Sequence, residues 1–201
     1  MTQPTNPEIA HLLQDARRRT LVLTADLQGE QWLGPRLAIV NPPLWEIGHL
    51  AWFQEHWCLR QTGTGTLLPS IFLNADQLYN SALVAHDTRW NLPLPTLPET
   101  HGYLQEVLQR VQKRLENESD NESLNYFTQL ALFHEDMHGE AFAYTRQTLG
   151  YSRPQLGAQR GPGRGQGRRE LRSAGGGQRL CRWQCGNGGR TIPQCQSHPQ
   201  R

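Results

Sequence analysis

Apolar residues recur at intervals of three and four positions along four segments of the first 150 residues. This spacing places them on one side of an α-helix, so the pattern predicts four amphipathic helices. We place the helices at about residues 6–27, from Pro43 to before Gly63, and at about 97–118 and 121–149. Because no segment shows the alternation that is typical of a strand, the sequence predicts an all-α fold, a four-helix bundle.

His134 and His138 are the first candidates for functional chemistry, because they stand four residues apart in the fourth predicted helix. Four residues is just over one helical turn, so both rings project from one face and can bind a single cation. Both also lie in the apolar stripe of that helix, which should face the core. An unpaired buried polar group costs about 1–3 kcal/mol, so these rings need hydrogen bonds or a metal ion.

A third histidine, His49, lies in the aromatic stripe of the second predicted helix. Helix bundles build metal sites from inward side chains on facing helices. His49, His134 and His138 therefore predict a metal site, and three neutral imidazoles suit zinc, iron or copper. His56, seven residues after His49 and on nearly the same face, is an alternative ligand.

The segment from His134 to His138 also matches the His-Glu-x-x-His pattern of zinc peptidases, with Glu135 as the general base. Peptidases with the extended pattern carry a glycine and a third histidine further along. This chain has Ala141 and Tyr144 at those positions. A zinc peptidase is therefore the weaker alternative.

The composition changes sharply near residue 151. The first 150 residues hold ten Lys or Arg and 17 Asp or Glu, whereas the last 51 hold ten Arg, 11 Gly and the single acid Glu170. Without periodic apolar residues a segment cannot offset its ordering entropy, so we predict a folded domain over 6–151 and a disordered basic tail over 152–201. The tail could bind nucleic acid through its positive charge. It could also bind zinc through Cys181, Cys185, Cys195 and His198 near its end. Neither interpretation is favoured.

The sequence shows no sign of membrane targeting. No apolar segment approaches the roughly 20 residues needed to cross a bilayer. The first residues lack the basic start and apolar run of a secretory signal. We therefore expect a cytoplasmic protein without membrane contact.

Four segments resemble motifs of one known family. They are Asn-Pro-Pro-Leu-Trp-Glu-Ile-Gly-His at 41–49, Pro-Ser-Ile-Phe-Leu-Asn-Ala-Asp-Gln-Leu-Tyr-Asn at 69–80, His-Asp-Thr-Arg-Trp at 86–90 and Ala-Leu-Phe-His-Glu-Asp-Met-His-Gly-Glu-Ala-Phe-Ala-Tyr at 131–144. In combination they are similar to the amino-terminal, DinB-like bundle of the ergothioneine-type sulfoxide synthases, and most similar to selenoneine synthase. The resemblance covers about residues 8–151.

The resemblance implies a specific chemistry. In that family three histidines hold a non-haem Fe(II), and they match His49, His134 and His138. The implied reaction uses O2 to join sulfur or selenium to the imidazole of hercynine, a trimethylated histidine. The implied partners are hercynine and a thiol or selenium donor, and Arg89 matches a donor-binding arginine.

The resemblance stops at about Tyr151. Family members continue into a second domain, similar to the formylglycine-generating enzyme, that supplies the catalytic tyrosine and much of the hercynine pocket. The tail of this chain instead looks like a frameshifted reading of GC-rich DNA. We therefore expect the iron-binding half of a sulfoxide or selenoxide synthase, inactive alone. The alternative is a non-catalytic DinB-like metal-binding or interaction bundle.

Overall fold

The computed structural model describes residues 4–61, 65–118 and 121–155, and all of them lie in one compact unit that ends at Gln159. Within these ranges the secondary structure is helical, and the all-α prediction is confirmed. From residue 156 onward, the predicted basic tail lies outside the residues that the structure describes. The α-helices are α1 (Asn6–Thr24), α2 (Pro43–Cys58), α3 (Ala75–Tyr79), α4 (Leu97–Asn117) and α5 (Glu122–Thr148).

The four long helices form a bundle in which α1 and α2 each pack against both α4 and α5. Consequently α1 and α2 face each other across the bundle, and the core lies between all four. Burying each large apolar side chain there stabilises the fold by about 1.5–3 kcal/mol. None of the described helices is long and apolar enough to cross a membrane. Fully buried core residues include Leu13, Trp45, Leu50, Val107 and Phe142.

One buried arginine connects all four long helices. Arg17 of α1, 3% exposed, donates from Nε and Nη2 to the Glu135 carboxylate of α5 at 2.7 and 3.2 Å. Its Nη1 donates to the Leu104 carbonyl of α4 at 2.6 Å, and Nη2 also donates to Gln54 of α2 at 3.0 Å. Burying charged groups is expensive unless they are paired and hydrogen-bonded, and this network meets both conditions.

An arginine from another helix binds the end of α1 and the end of α2. The predicted first helix reaches residue 27, but α1 ends at Thr24, where Arg146 of α5 donates to the Leu23 carbonyl at 3.0 Å. The second helix is predicted to end before Gly63, and α2 ends at Cys58, whose carbonyl accepts from Arg114 at 2.7 Å. These long-range donors satisfy carbonyls that a longer helix would bond internally.

The connection between α2 and α4 is held firmly against the bundle. Glu55 of α2 accepts hydrogen bonds from the Ser70 hydroxyl and the Ile71 backbone N–H, both at 2.6 Å, and from the Tyr103 hydroxyl of α4. Arg60 pairs with Asp76 at the start of α3 at 2.8 Å. The sequence predicts an irregular segment here, whereas the structure places α3 and a 3₁₀ helix (His86–Asn91) in it. These contacts bring the end of α3 to the side of α2.

Candidate metal centre

Three histidines from two helices form a compact cluster. His49 comes from α2, and His134 and His138 come from α5, which packs against α2. One ring nitrogen from each lies within 4.8 Å of the other two. The ring centroids are 4.5 Å apart for His134 and His138, 5.0 Å for His49 and His134, and 5.3 Å for His49 and His138. The structure thus brings together the three predicted ligands in an arrangement that could hold a metal ion.

The orientation of His49 is set by the end of α3. Its Nδ1 lies 2.8 Å from the backbone carbonyl of Tyr79. A carbonyl oxygen can only accept, so Nδ1 carries the proton and Nε2 keeps its lone pair. The ring also stacks on Trp45, with centroids 4.9 Å apart, and on Trp52, at 5.7 Å. His49 therefore presents Nε2 as a donor to a metal ion.

Gly48 makes this arrangement sterically possible. A Cβ atom at Gly48 would lie 2.3 Å from the Tyr79 ring, a separation that real side chains do not adopt. Only glycine lets α3 approach α2 this closely, and that approach brings the Tyr79 carbonyl to His49. Gly48 and Tyr79 both lie within the sequence motifs, but the sequence assigns neither a role, because helical periodicity does not reveal their contact.

His138 has a carboxylate partner. Its Nδ1 lies 2.6 Å from Oε1 of Glu46 on α2, whose side chain is fully buried. The sequence pattern gave Glu46 no role either. The available signal was an acidic residue among the mostly apolar residues at the start of this helix, three positions before His49.

His134 is held by stacking. Its ring lies parallel to Phe53 of α2, with centroids 3.6 Å apart and an angle of 6°. Within the described part of the chain it has no hydrogen-bond partner. His134 is also more exposed than His49 and His138, so the cluster opens towards solvent on its side.

Burial keeps the rings of His49 and His134 in the neutral form, which is the form that binds metals. Desolvation, reinforced by the neighbouring His138, lowers the pKa of His49 to about 3. The same causes, with a contribution from His49, lower the pKa of His134 to about 2. Both rings are therefore neutral at pH 7, and metal ions bind the neutral imidazole. Three clustered imidazole ligands fit zinc, iron or copper.

Arg89 lies beside the cluster, on the far side of a shared aromatic contact. Its guanidinium carbon is 3.9 Å from the ring centroid of Trp45, which also stacks on His49. Nη1 donates to Asn41 at 2.6 Å and Nη2 to the Val84 carbonyl at 3.4 Å, whereas the buried Nε has no hydrogen-bond partner among the described residues. Arg89 is thus fixed near the site with one donor unused.

The two rival site hypotheses do not fit this geometry. The cluster that could hold a metal contains His49, whereas His56 instead lies 3.4 Å from Gln61. Glu135, the general base of the peptidase alternative, is engaged with Arg17 and with the Thr20 hydroxyl at 3.0 Å, both on α1. These contacts hold the Glu135 carboxylate against α1, and it is not part of the histidine cluster.

Comparison with known proteins identifies the family. Residues 12–142 match the family model of the DinB superfamily. This span includes all three clustered histidines and reaches from α1 into α5. A search of curated proteins found no match. The chain belongs to the DinB superfamily.

Proposed function

We propose that His49, His134 and His138 bind one divalent transition-metal ion. The observation that carries this proposal is the convergence of the three ring nitrogens within 4.8 Å. The hydrogen bonds of His49 and His138 engage Nδ1 and leave Nε2 of both rings available to coordinate a metal ion. Three protein ligands leave further coordination positions for other molecules, as is typical of catalytic rather than structural sites.

We further propose that the ion is Fe(II) and that the bundle is the iron-binding half of a sulfoxide or selenoxide synthase acting on hercynine. When bound, the ion would offer open positions for O2 and for the sulfur or selenium donor. The motifs that resemble this family support the proposal because they meet in space: Asn41 contacts Arg89, Glu46 contacts His138, and Tyr79 contacts His49.

Metal binding is tested by anaerobic reconstitution. We expect about one Fe(II) per chain, and His49→Ala, His134→Ala and His138→Ala should each abolish tight binding. The matched control is His11→Ala, because His11 is exposed on α1 and distant in sequence from the cluster. Iron binding by His49→Ala equal to that of the parent protein would show that the three-histidine site is wrong.

Donor binding is tested separately, with Co(II) as an optical probe. Cysteine, a thiol that carries a carboxylate, should produce a thiolate-to-cobalt absorption band in the loaded protein. Arg89→Met should weaken cysteine binding without changing Co(II) affinity, because guanidinium groups bind carboxylates. Cysteamine, which lacks the carboxylate, should bind parent and variant equally. An unchanged cysteine affinity in Arg89→Met would exclude the donor-binding role.

The reaction itself is tested by O2 consumption. In the resembling enzymes a second domain orients the imidazole of hercynine, and misplacement by about 1 Å can reduce a rate about a hundredfold. We therefore expect hercynine-dependent O2 consumption to need that domain in addition to the bundle, and to be negligible for the bundle by itself. Robust formation of a sulfur- or selenium-bridged product would contradict this expectation. Iron binding without any donor binding would favour the non-catalytic alternative.

A further inference from the structure

We propose that Glu46 is a positioning residue for the metal centre, whose carboxylate fixes the tautomer and ring orientation of His138 and strengthens metal binding. This inference rests on the proposed function, since it assigns a role towards an ion held by the three histidines. It concerns a residue that acts through His138 and does not itself reach the ion.

The hydrogen bond between the two side chains determines which nitrogen is free. Oε1 of Glu46 lies 2.6 Å from Nδ1 of His138, the short distance typical of a charge-assisted bond. Because a carboxylate accepts, Nδ1 of His138 donates this hydrogen bond, and Nε2 is the ring nitrogen left to coordinate a metal ion. A carboxylate on the opposite nitrogen also raises the basicity of an imidazole ligand.

The second oxygen of Glu46 provides an independent observation. Oε2 is buried and has no hydrogen-bond partner among the described residues. An incompletely paired buried carboxylate destabilises a fold, so such a group calls for an explanation. A cation held by the three clustered histidines would supply the missing positive charge, and His138 would connect it to the carboxylate.

Glu55 shows what a purely structural glutamate looks like on the same helix. It is as fully buried as Glu46. Both of its oxygens are occupied, by Ser70, the Ile71 backbone and Tyr103, and none of these contacts involves a clustered histidine. Glu55 is therefore the matched control for the effect of removing a buried negative charge from α2.

His49 serves as the internal reference. Its Nδ1 donates to the neutral carbonyl of Tyr79, whereas that of His138 donates to a carboxylate. A change confined to Glu46 should alter the His138 ring and leave the His49 ring as it was. A general loss of structure should alter both rings.

The first experiment measures Co(II) affinity by chelator competition. We expect Glu46→Ala to weaken binding on the order of 10–100-fold, as is usual for such outer partners. Glu46→Gln should lose less, because its amide oxygen still accepts the Nδ1 proton. Glu55→Gln should lower resistance to urea without weakening Co(II) binding. A Co(II) affinity of Glu46→Ala within twofold of the parent would overturn the role of Glu46 but not the metal site. Absence of Co(II) binding by the parent protein would overturn both the proposed metal site and the role of Glu46.

The second experiment observes the ring protons directly. In Co(II)-loaded protein, proton NMR in water should show hyperfine-shifted, exchangeable Nδ1–H signals from His49 and His138. Glu46→Gln should shift the His138 signal, and Glu46→Ala should lose it to solvent exchange, with the His49 signal retained in both. Retention of the His138 signal in Glu46→Ala, or equal loss of both signals, would refute a specific positioning role.

Discussion

Buried glutamates in this bundle have different roles because their partners differ. Glu46 binds a clustered histidine, Glu55 holds the connection after α2, and Glu135 pairs with Arg17. All three are acidic residues within helices, and the neighbouring sequence does not distinguish their roles. What distinguishes them is which group lies opposite each carboxylate in the folded protein.

The Arg17–Glu135 pair leads to a stability prediction. Arg17→Met leaves Glu135 buried without its counter-charge, so the free energy of unfolding should fall by about 3–5 kcal/mol. Arg110→Met is the control, because its pair with Glu106 is about half exposed and should contribute less than about 1 kcal/mol. Urea unfolding measures both.

A second variant separates charge from packing at this position. Arg17→Met combined with Glu135→Leu removes both charges and should recover part of the lost stability, since apolar replacements of buried pairs are often neutral. A double variant that is less stable than Arg17→Met would contradict this account.

At the level of elements, α2 and α5 provide the three clustered histidines and α3 orients one of them. The histidines on α5 meet His49 because α2 packs directly against α5. The short helix α3 adds no ligand, yet its last residue, Tyr79, holds His49 through a backbone carbonyl. The site therefore depends on how closely α3 approaches α2.

Gly48→Ala tests this close approach. The added methyl group would lie 2.3 Å from the Tyr79 ring, so α3 must move, and we expect a loss of about 1–3 kcal/mol in stability together with weaker metal binding. Gly102→Ala on α4 is the matched control, since no atom lies within 4 Å of its added Cβ. That variant should gain about 0.5–1 kcal/mol from higher helix propensity. Equal effects of the two substitutions on metal affinity would argue against a positioning role for α3.

At the scale of the whole molecule, the cluster couples stability to pH in the metal-free protein. The pKa values of His49 and His134, about 3 and about 2, lie well below the ordinary value of 6.5. The unfolded chain therefore binds more protons than the folded one as the pH falls below 6.5. The stability that these two neutral histidines allow is complete above pH 6.5. It is lost progressively as the pH falls towards their pKa values in the folded protein.

Urea unfolding at several pH values measures this coupling. Each of the two histidines should reduce the free energy of unfolding by up to about 1.4 kcal/mol per pH unit below 6.5. A variant with both His49→Gln and His134→Gln should show a flatter dependence between pH 6.5 and 5. An unchanged slope in this double variant would exclude these two rings as the source.

The four long helices and the paired position of His134 and His138 follow from the sequence alone, because both depend on the 3.6-residue repeat of one helix. The presence of His49 on an inward stripe was predictable for the same reason. The end of the first helix was less predictable, because α1 stops where Arg146 reaches the Leu23 carbonyl from α5.

The surroundings of the three histidines depend on how the helices pack in the folded protein. Glu46 lies 92 residues before His138, and Tyr79 lies 30 residues after His49. Such pairings arise when helices pack, so no local pattern marks them. The same packing turned Glu135 away from the cluster and onto Arg17. Periodicity determines which face of a helix is buried, whereas the partner opposite each buried polar group depends on the helix that packs against that face.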